Sequence, residues 1–365
     1  MAEEQPQQKD EHFEENGAQQ ENDETMVNQS EVYSWPEIRF DIQPHRNYHF
    51  HRQFRSPSNP NNFLKSAKWS PDGSCFLTSS DDNTLRLFSL PDNESDYPDG
   101  SFSSDPDEDS YAAKLVIYEG ESVYDYCWYP YMSASDMTSC VFATTTRDHP
   151  IHLWDSTTGE LRCTYRAFDA MDEITAAFSV AFNPTGTKIF AGYNKTLRVF
   201  DVHRPGKDFK QHSTLQGSKE GQSGIISAIA FSPANSGMFA TGSYDQTTAI
   251  YSEDNMELLL YRSTEHTNQR ISFDIEPIGR HLGTGGQDGL VHIYDLQTGQ
   301  WASSFAAASD TVNGFSFHPF LPMAVTSSGH RRFGLPDDAD DAEIVTINSN
   351  SSNPVAVDAL SFLLL

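Results

Sequence analysis

The sequence has few basic residues, few cysteines and no long apolar run. Lysine and arginine number 24 against 52 aspartate and glutamate residues, so the formal net charge is −28. The four cysteines have no CxxC pairing and lie in or beside predicted strands, which is typical of small buried residues in a reducing compartment. No apolar run reaches transmembrane length, and the acidic N-terminus lacks the apolar core of a secretory signal. We therefore expect a soluble intracellular protein with no membrane partner.

The excess of negative charge is concentrated in three segments. Residues 1–31 contain ten acids and one lysine, residues 91–110 contain eight acids, and residues 337–343 contain five. Segments so acidic and so poor in apolar residues cannot bury enough surface to offset the entropy of ordering. We predict a disordered acidic N-terminal tail at residues 1–44, an acidic loop at 91–110 and a divergent C-terminal tail at 335–365, with residues 1–31, 91–110 and 336–354 disordered. Residues 355–365 are expected to form either a late strand or an unpaired apolar end. We expect the acidic segments to keep the protein solvated; a protein-binding or nucleic-acid-excluding tail is the alternative.

Short β-rich runs separated by turn residues recur along the chain. Residues 221–251 contain three such runs, with turns at 232–235 and 244–246. Five other stretches resemble this one, each built around an aromatic residue. The six aromatic anchors are Trp69, Trp128, Phe182, Phe231, Phe273 and Phe317, spaced by 59, 54, 49, 42 and 44 residues. One such unit cannot bury both faces of its sheet, so it needs neighbours like itself.

This spacing predicts an all-β fold, a WD-repeat β-propeller with six recognisable blades over residues 45–334. Residues 45–55, HRNYHFHRQFR, interleave histidine, arginine and aromatic residues. We predict that they include the outer strand that closes the ring against the last blade, because a propeller must hide its sheet edge. A nucleic-acid contact strip is the alternative interpretation.

An acid or amide side chain occupies the tight turn before the third strand of five repeats. These residues are Asp82, Asp148, Asn194, Asp245 and Asp288. A carboxylate or amide in this place can accept hydrogen bonds from the N–H groups of the turn. Since the five residues belong to different blades, they cannot form one catalytic site, and we predict a structural role.

Common catalytic and cofactor patterns are missing. The sequence contains no GxSxG motif, no P-loop and no dinucleotide-binding GxGxxG motif. The nearest histidine pairs, His49 with His51 and His149 with His152, have no cysteine or carboxylate at a metal-ligand spacing. We therefore predict a protein that is not an enzyme and has no metal, cofactor or small-molecule substrate.

Function is then expected at one end of the ring. In a meander blade, two positions should face the same end of the ring. The first register is the residue before the turn acid, and the second register is the residue four before the anchor. The first register gives Asp81, Arg147, Tyr193, Tyr244 and Gln287; the second gives Lys65, Tyr124, Phe178, Ser227, Gln269 and Asn313, with Arg270 beside Gln269. Such a surface can stack bases and read their edges, and it can equally bind protein.

Several stretches of residues 61–334 resemble the telomerase Cajal body protein family. They include NFLKSAKWSPDGSCFLTSSDDNTLRLF, VYDYCWYP, GQSGIISAIAFSP and TVNGFSFHPFLPMAVTSSGHRRF, and the similarity extends into the pieces between repeats. The resemblance implies a propeller that recognises the CAB box of box H/ACA small Cajal-body RNAs and of telomerase RNA. It also implies that the protein brings these ribonucleoproteins to Cajal bodies in the nucleus, alongside Cajal-body proteins, in support of telomere maintenance.

Together with this resemblance, the two registers give a hypothesis for RNA binding. Its residues are Lys65 and Arg147 for phosphate, Tyr124, Phe178, Tyr193 and Tyr244 as aromatic residues for stacking, and Gln269, Arg270 and Asn313 for base edges.

The sequence departs from the family pattern in two places. The family has a further repeat between the counterparts of Tyr251 and Asn268, which here are 17 residues apart, and the segment after Phe333 diverges. Two alternatives to an RNA-binding localisation factor therefore stay open. They are a general WD-repeat scaffold for protein complexes and a shortened variant with impaired RNA binding.

Overall fold

The computed structural model describes residues 38, 40, 44–50, 54, 62–89, 112–216, 220–232, 237–263, 271–330 and 360–364. Over these ranges the regular structure is all β-strand, and there is no α-helix. Within the same ranges, no helix is long and apolar enough to cross a membrane. The predicted disordered segments 1–31, 91–110 and 336–354 lie outside the described residues.

Six four-stranded antiparallel sheets form the β-propeller, as the repeats predict. Sheet 1 contains β2 (Leu64–Trp69), β3 (Cys75–Ser80), β4 (Thr84–Ser89) and β5 (Leu115–Tyr118). Sheet 2 contains β6 (Val123–Trp128), β7 (Val141–Thr146), β8 (Ile151–Asp155) and β9 (Leu161–Tyr165). Sheet 3 contains β10 (Ser179–Phe182), β11 (Lys188–Tyr193), β12 (Thr196–Asp201) and β13 (Phe209–Ser213).

The other three sheets follow the same plan. Sheet 4 contains β16 (Ile226–Phe231), β17 (Met238–Ser243), β18 (Thr247–Ser252) and β19 (Leu258–Ser263). Sheet 5 contains β20 (Phe273–Ile275), β21 (His281–Gly285), β22 (Leu290–Asp295) and β23 (Gln300–Ala306). Sheet 6 contains β24 (Val312–Phe317), β25 (Met323–Ser328), β26 (Leu360–Leu364) and β1 (His45–Phe50). A short hairpin, β14 (Leu215–Gln216) with β15 (Glu220–Gly221), lies between sheets 3 and 4 along the chain.

Sheet 6 is closed by strands from both ends of the described chain. β26 pairs with β25 on one side and with β1 on the other, so β1 is the outermost strand of the last sheet. This confirms the prediction that residues near 45–50 close the ring. It also extends the domain beyond the predicted boundary at residue 334, because residues 360–364 supply the third strand of sheet 6 and are not part of a separate tail.

The predicted N-terminal boundary at residue 45 also falls inside the packed region. Ile38 is buried among core residues of sheets 5 and 6, and the ring of Phe40 lies 4.8 Å from that of His281. The backbone oxygen of Phe40 accepts a hydrogen bond from Ser303 Oγ at 2.7 Å. Ordered packing therefore begins before the first strand.

Strand pairing places the anchor of sheet 5 two residues later than predicted. The anchors of the other sheets pair with the second strand at one fixed position, as in Trp69 with Phe76 and Phe182 with Ile189. In sheet 5 this position is occupied by Ile275, which pairs with Leu282. Ile275 also precedes Pro277 at the spacing seen in the other repeats. Phe273 was wrong as the anchor because this aromatic residue, two positions before the true anchor on the same face of the strand, dominates the pattern.

Five apolar clusters hold neighbouring sheets together. They lie between sheets 1 and 2, 2 and 3, 3 and 4, 5 and 6, and 6 and 1. In each, aromatic or branched residues of one sheet pack on the face of the sheet before it, as Phe239 of sheet 4 does on Phe190 of sheet 3, with ring centroids 5.1 Å apart. Burial of these side chains contributes roughly 1.5–3 kcal/mol each to folding.

The turn acids form local hydrogen bonds, in keeping with a structural role. Asp82 accepts a hydrogen bond from Ser80 Oγ at 2.6 Å and pairs with Arg86 at 2.8 Å. The carboxylate of Asp245 accepts hydrogen bonds from Ser223 and Thr247, which joins the turn to the segment before β16. Asp288 accepts the N–H of Leu290 at 3.1 Å. At Asn194, the backbone oxygen rather than the amide accepts a hydrogen bond, from Thr196 Oγ1 at 3.5 Å.

Asp148 differs from the other turn acids. In sheet 2 the corresponding hydrogen bonds are accepted by Glu119, which the sequence did not indicate. Asp148 has a positive φ of 56° and its exposed carboxylate lies 3.3 Å from Arg147. Glu119, whose side chain is 1 % exposed, instead accepts hydrogen bonds from Thr144, from His152 at 2.9 Å and from Trp154 at 2.8 Å. Burial alone would raise the pKa of Glu119, but these hydrogen bonds outweigh it and lower the pKa.

The four cysteines are free thiols in or beside the strands. Cys75 and Cys140 are buried, and Cys127 and Cys163 are half-buried. Burial raises the pKa of Cys75 to about 11 and that of Cys127 to about 12, so both are protonated thiols at neutral pH. They pack as small apolar residues, as predicted.

Candidate functional site

A cavity of about 540 Å³ opens at the end of the ring where each first strand begins. Residues from all six sheets or their leading segments line it. Of the residues in the RNA-binding hypothesis, the structure brings five together in this lining: Lys65, Tyr124, Phe178, Tyr244 and Asn313. Ser227, which the second register gave, also lines it. The start of each first strand and the following hairpin turn do lie at one end, since Leu64 pairs with Ser80 immediately before the turn of sheet 1. We refer to this space as the channel cavity.

Three aromatic side chains stand at the mouth of the channel cavity. The rings of Tyr124 and Phe178 stack on each other, with centroids 5.4 Å apart and an interplanar angle of 20°. Tyr244 lies in the turn after β17 and is 63 % exposed. Burial raises the pKa of Tyr124 despite the opposing charge of Arg147, so its hydroxyl stays protonated and able to donate. Flat, partly exposed rings of this kind can stack an unpaired base.

The cations of the cavity each lie beside a carboxylate. Lys65 Nζ donates to Ser122 Oγ at 2.7 Å and lies 3.2 Å from Asp81. Lys68, deeper in the cavity, lies 3.2 Å from Asp125 and donates to a backbone oxygen. The positive field of the cavity is therefore largely compensated by its own acids, and stacking is a larger part of what this surface offers than phosphate attraction.

Arg147 differs from the lysines of these half-buried ion pairs. Its side chain is 61 % exposed and its Nε lies 3.3 Å from the exposed carboxylate of Asp148. A pair so exposed has little net stability, so Asp148 competes weakly with an incoming phosphate.

Tyr193 does not belong to this surface, and its prediction as a stacking residue was wrong. It is 3 % exposed and packs in the cluster between sheets 2 and 3, with the guanidinium of Arg198 4.5 Å from its ring centroid. The hairpin of sheet 3 is one residue shorter than that of sheet 4, since Tyr193 pairs directly with Thr196. A shift of one residue turns a strand side chain to the opposite face.

Asn313 lines the cavity but its amide is already bonded within the protein. Its Nδ2 donates to the backbone oxygens of Leu64 and Gly329, and its Oδ1 accepts from Ser327 Oγ. The residue is 5 % exposed. It therefore joins sheets 6 and 1, and both of its amide N–H groups are already used within the protein.

The remaining predicted residues, Gln269 and Arg270, lie outside the described residues. With Ile275 as the anchor of sheet 5, the residue four before it is Ile271, which is half-buried. The register that selected Gln269 is thus displaced by two residues.

Ser122 and Lys68 are among the polar residues of the cavity that were not selected from the sequence. Ser122 precedes β6 and accepts the Lys65 hydrogen bond. Lys68 lies within β2, where a charged residue between buried Ala67 and Trp69 is the signal that could have found it.

The histidine pair of sheet 2 has a structural arrangement. The rings of His149 and His152 are 6.2 Å apart, and His152 is bonded to Glu119. Across the part of the chain that the structure describes, no group of three or more histidine, cysteine, aspartate or glutamate side chains is placed to hold a metal ion.

Comparison with known proteins agrees with this architecture. The WD domain, G-beta repeat family matches residues 52–89, 173–201 and 209–252. Telomerase Cajal body protein 1 of Mesocricetus auratus is 38 % identical over 342 aligned positions, which cover 79 % of this chain and 62 % of the relative. The protein of the same name from Homo sapiens is 37 % identical, with coverages of 77 % and 60 %, and the Drosophila melanogaster homolog is 27 % identical, with 84 % and 64 %.

This chain belongs to the telomerase Cajal body protein family. It spans about three fifths of the length of the relatives that it matches. The pairwise alignment also contains positions that have no counterpart in this chain. Since 79 % of 365 residues is about 288, the 342-position alignment with the Mesocricetus protein contains about 54 positions at which the relative has residues and this chain has none. One WD repeat has about 40–45 residues, so this difference is about the size of one blade.

Proposed function

We propose that this member of the family is an RNA-binding localisation factor. Its ligand is the CAB box of box H/ACA small Cajal-body RNAs and of telomerase RNA. By binding it, the protein directs these ribonucleoproteins to Cajal bodies in the nucleus and supports telomerase trafficking and telomere maintenance. Family membership supports the class of RNA, and the stacked pair Tyr124–Phe178 beside exposed Tyr244 is the observation that carries the proposal.

We assign a role to each aromatic residue of the mouth, to Arg147 and to Lys65. The Tyr124–Phe178 stack and the Tyr244 ring provide faces for unpaired bases of an RNA loop. Arg147, exposed and weakly paired, contacts a phosphate. Ser122 and Asp81 hold the ammonium group of Lys65 in place. Lys65 therefore orients the RNA more than it attracts it by an uncompensated charge. No residue of this set performs bond chemistry, and the protein acts by binding alone.

The test measures the affinity of the full chain for a labelled RNA hairpin that carries a CAB box in its loop. Stacking contributes about 1–3 kcal/mol per base, so Tyr124→Ala and Tyr244→Ala should each weaken binding roughly 5- to 150-fold. Tyr124→Phe should keep most of the affinity, because the ring remains. Arg147→Ala should reduce the slope of log affinity against log salt concentration by about one, because one phosphate contact is lost. Tyr118→Ala is the matched control, since Tyr118 is an exposed aromatic residue on the outer strand of sheet 1.

A hairpin with a scrambled loop separates specific from general binding. Equal affinity for both hairpins would contradict CAB-box recognition. If the two tyrosine variants bind RNA normally while changes within residues 45–55 abolish binding, the contact lies on the N-terminal strip and the channel cavity is not the site.

A protein-binding scaffold is the second candidate, and the compensated charge of the cavity favours it. Lys65 and Lys68 each face a carboxylate, which reduces the attraction of the cavity for a polyanion. A shortened form with impaired RNA binding is the third. Crosslinking in cells followed by sequencing of bound RNA separates the RNA-binding factor from both other candidates, because neither of them would recover an enriched RNA class.

A further inference from the structure

Sheet 3 has an excess of positive charge in a chain that is otherwise strongly acidic. Residues 188–213, which contain β11, β12, β13 and the turns between them, hold six of the 24 lysine and arginine residues but two of the 52 acids. The rest of the chain therefore has 18 bases against 50 acids. A surface of this sign in an acidic protein is suited to an anionic partner.

The positive charge of sheet 3 is mostly left without a neutralising acid. Six cations elsewhere in the ring lie 2.7–3.6 Å from a carboxylate: Lys65, Lys68, Arg86, Arg147, Arg162 and Arg280. In the part of the chain that the structure describes, four exposed bases of sheet 3 have no carboxylate so close: Lys195, Arg204, Lys207 and Lys210. Their charge is therefore available to a ligand.

A fifth base of sheet 3 is buried and also has no acid beside it. Arg198 is 8 % exposed, and its guanidinium lies 4.5 and 4.8 Å from the ring centroids of Tyr193 and Phe209. Its Nε donates to Gln211 Oε1 at 3.0 Å, and its buried Nη1 has no hydrogen-bond partner among the described residues. Buried charges are normally paired, so Arg198 adds an uncompensated positive charge next to β13.

The four exposed bases follow the outer strands of sheet 3 from one end of the ring to the other. Lys195 lies in the turn between β11 and β12, at the end where the channel cavity opens. β12 runs away from this end and β13 returns to it, so Arg204 and Lys207, in the turn between them, lie at the far end and Lys210 lies on the returning strand. We refer to Lys195, Arg204, Lys207 and Lys210 as the sheet 3 strip.

Exposed acids reduce the charge of this surface and limit its extent. Asp201 and Asp208 lie between the bases of the strip, and the carboxylate of Asp201 accepts the N–H of His203 at 2.9 Å. The four exposed bases and Arg198 against these two acids leave three positive charges. The loop that joins β9 to β10 adds three exposed acids: Asp169, Asp172 and Glu173. The positive surface therefore follows the outer strands of sheet 3 and does not include this loop.

We propose that the sheet 3 strip binds the phosphate backbone of the RNA stem whose loop is held at the channel cavity, an inference that rests on the proposed function. Phe178, one of the aromatic residues at the mouth, directly precedes β10 of sheet 3. A stem that continues from a loop stacked on Phe178 can therefore pass along this sheet and meet Lys195 first. Double-stranded RNA is bound mainly through its shape and its backbone, so the strip needs charge and no base-reading groups.

The chemistry of the strip favours RNA over an acidic protein as the ligand. Protein interfaces are typically anchored by aromatic side chains that a partner can reach. Beside the strip, Tyr193 and Phe200 are 3 and 1 % exposed and Phe209 is half-buried, because they pack within the propeller. Lysine and arginine side chains without accessible aromatic anchors are what a phosphate backbone requires.

The test uses the full chain and two RNA hairpins that share the CAB-box loop, with stems of about four and about 16 base pairs. A triple variant combines Lys195→Asn, Lys207→Ala and Lys210→Ala. Asparagine is chosen at position 195 because the φ of Lys195 is 57°, which asparagine tolerates. With the long stem, the slope of log affinity against log salt should fall by about three, because three phosphate contacts are lost. Between about 50 and 200 mM salt the unmodified chain should therefore lose roughly 40-fold more affinity than the variant.

The short stem and a control lysine show whether the effect belongs to the strip. The short stem reaches Lys195 at most, so the triple variant should lower its salt slope by no more than about one. Lys114→Ala is the matched control, since Lys114 is an exposed lysine beside the outer strand of sheet 1 and has no close carboxylate in the described ranges. It should leave the slope unchanged for both hairpins. Melting curves like that of the unmodified chain exclude unfolding as the cause.

Failure of this proposal and failure of the proposed function give different results. An unchanged slope for the triple variant on the long stem would remove the strip from the interface, even where Tyr124→Ala still weakens both hairpins. An equal fall in slope on both stems would place the lysine contacts in the loop and overturn the assignment to the stem. If the CAB-box loop bound no better than a scrambled loop, the proposed function would fail, while the long-stem effect of the strip would persist because phosphate contacts do not depend on sequence.

Discussion

Replacement of Glu119 by alanine should destabilise the propeller more than any change at the predicted turn acids. Glu119 is almost completely buried, and its carboxylate is the shared acceptor of Thr144, His152 and Trp154. Alanine removes the acceptor but leaves three donors in a place where water cannot replace it. The matched control is Glu160→Ala, since Glu160 is an exposed glutamate in the turn between β8 and β9 of the same sheet.

The magnitude follows from the number of donors that lose their partner. A buried donor left unpaired costs about 1–3 kcal/mol, and breaking a buried charged network costs about 3–5 kcal/mol. Trp154 keeps a hydrogen bond to Thr144 at 3.1 Å, so the cost summed over the three donors should lie at its lower end. We expect a loss of about 3–5 kcal/mol in the free energy of unfolding. For a domain of this size the melting temperature should fall by roughly 6–20 °C.

The pH dependence distinguishes the charge of Glu119 from its shape. Its pKa is lowered from the ordinary value of 4.5, so its contribution is present above pH 4.5 and is lost as the pH falls through the lower folded pKa. Glu119→Gln keeps one acceptor without the charge, so it should lose less stability than alanine and should not show this acid loss. Melting of the three proteins between pH 3 and 7 decides, and an alanine variant within 2 °C of the unmodified chain at pH 7 would refute the network as a stabilising element.

Three further predictions concern single residues. Asp245→Ala should cost about 1 kcal/mol through loss of the Ser223 and Thr247 hydrogen bonds, and denaturant unfolding would show no shift if the turn were held by other contacts. His318, whose burial lowers its pKa to about 4, should make stability fall between pH 6.5 and 4 by up to about 1.4 kcal/mol per pH unit; His318→Gln should flatten that slope in urea titrations. Tyr193→Ala should lower stability by about 3–5 kcal/mol without changing the RNA affinity of the folded protein, and unchanged melting with weaker binding would restore Tyr193 to the interface.

The sequence was informative wherever a repeated chemistry fixed a repeated position. Trp69, Trp128, Phe182, Phe231 and Phe317 occupy one strand position because that position always packs on the preceding sheet, and their spacing predicted six sheets. The repeated positions also predicted that four residues lie on one surface, and all four line the channel cavity: Lys65, Tyr124, Phe178 and Tyr244. Because side chains alternate between the two faces of a strand, a correct register is enough to assign each residue to a face.

The exact strand register could not be predicted from the sequence. Phe273 was taken as the anchor instead of Ile275 because both are large apolar residues two positions apart on the same face, and only cross-strand pairing distinguishes them. Tyr193 turned inward because one hairpin is a residue shorter. Glu119 was missed because its partners come from three separate places in the chain, Thr144, His152 and Trp154, and no local pattern connects them.

The pairing of β1 with β26 delays the completion of the domain during synthesis. About 310 residues separate the two strands, which corresponds to roughly 15–60 s of translation. Until residues 360–364 emerge from the ribosome, β1 has no partner in sheet 6, and the edge of β25 is open to other chains. Unpaired strand edges are a common route to aggregation, so the nascent chain should depend on a chaperone over this interval, and a stop codon placed before residue 360 should reduce the yield of soluble protein far more than the loss of six residues from an ordinary tail.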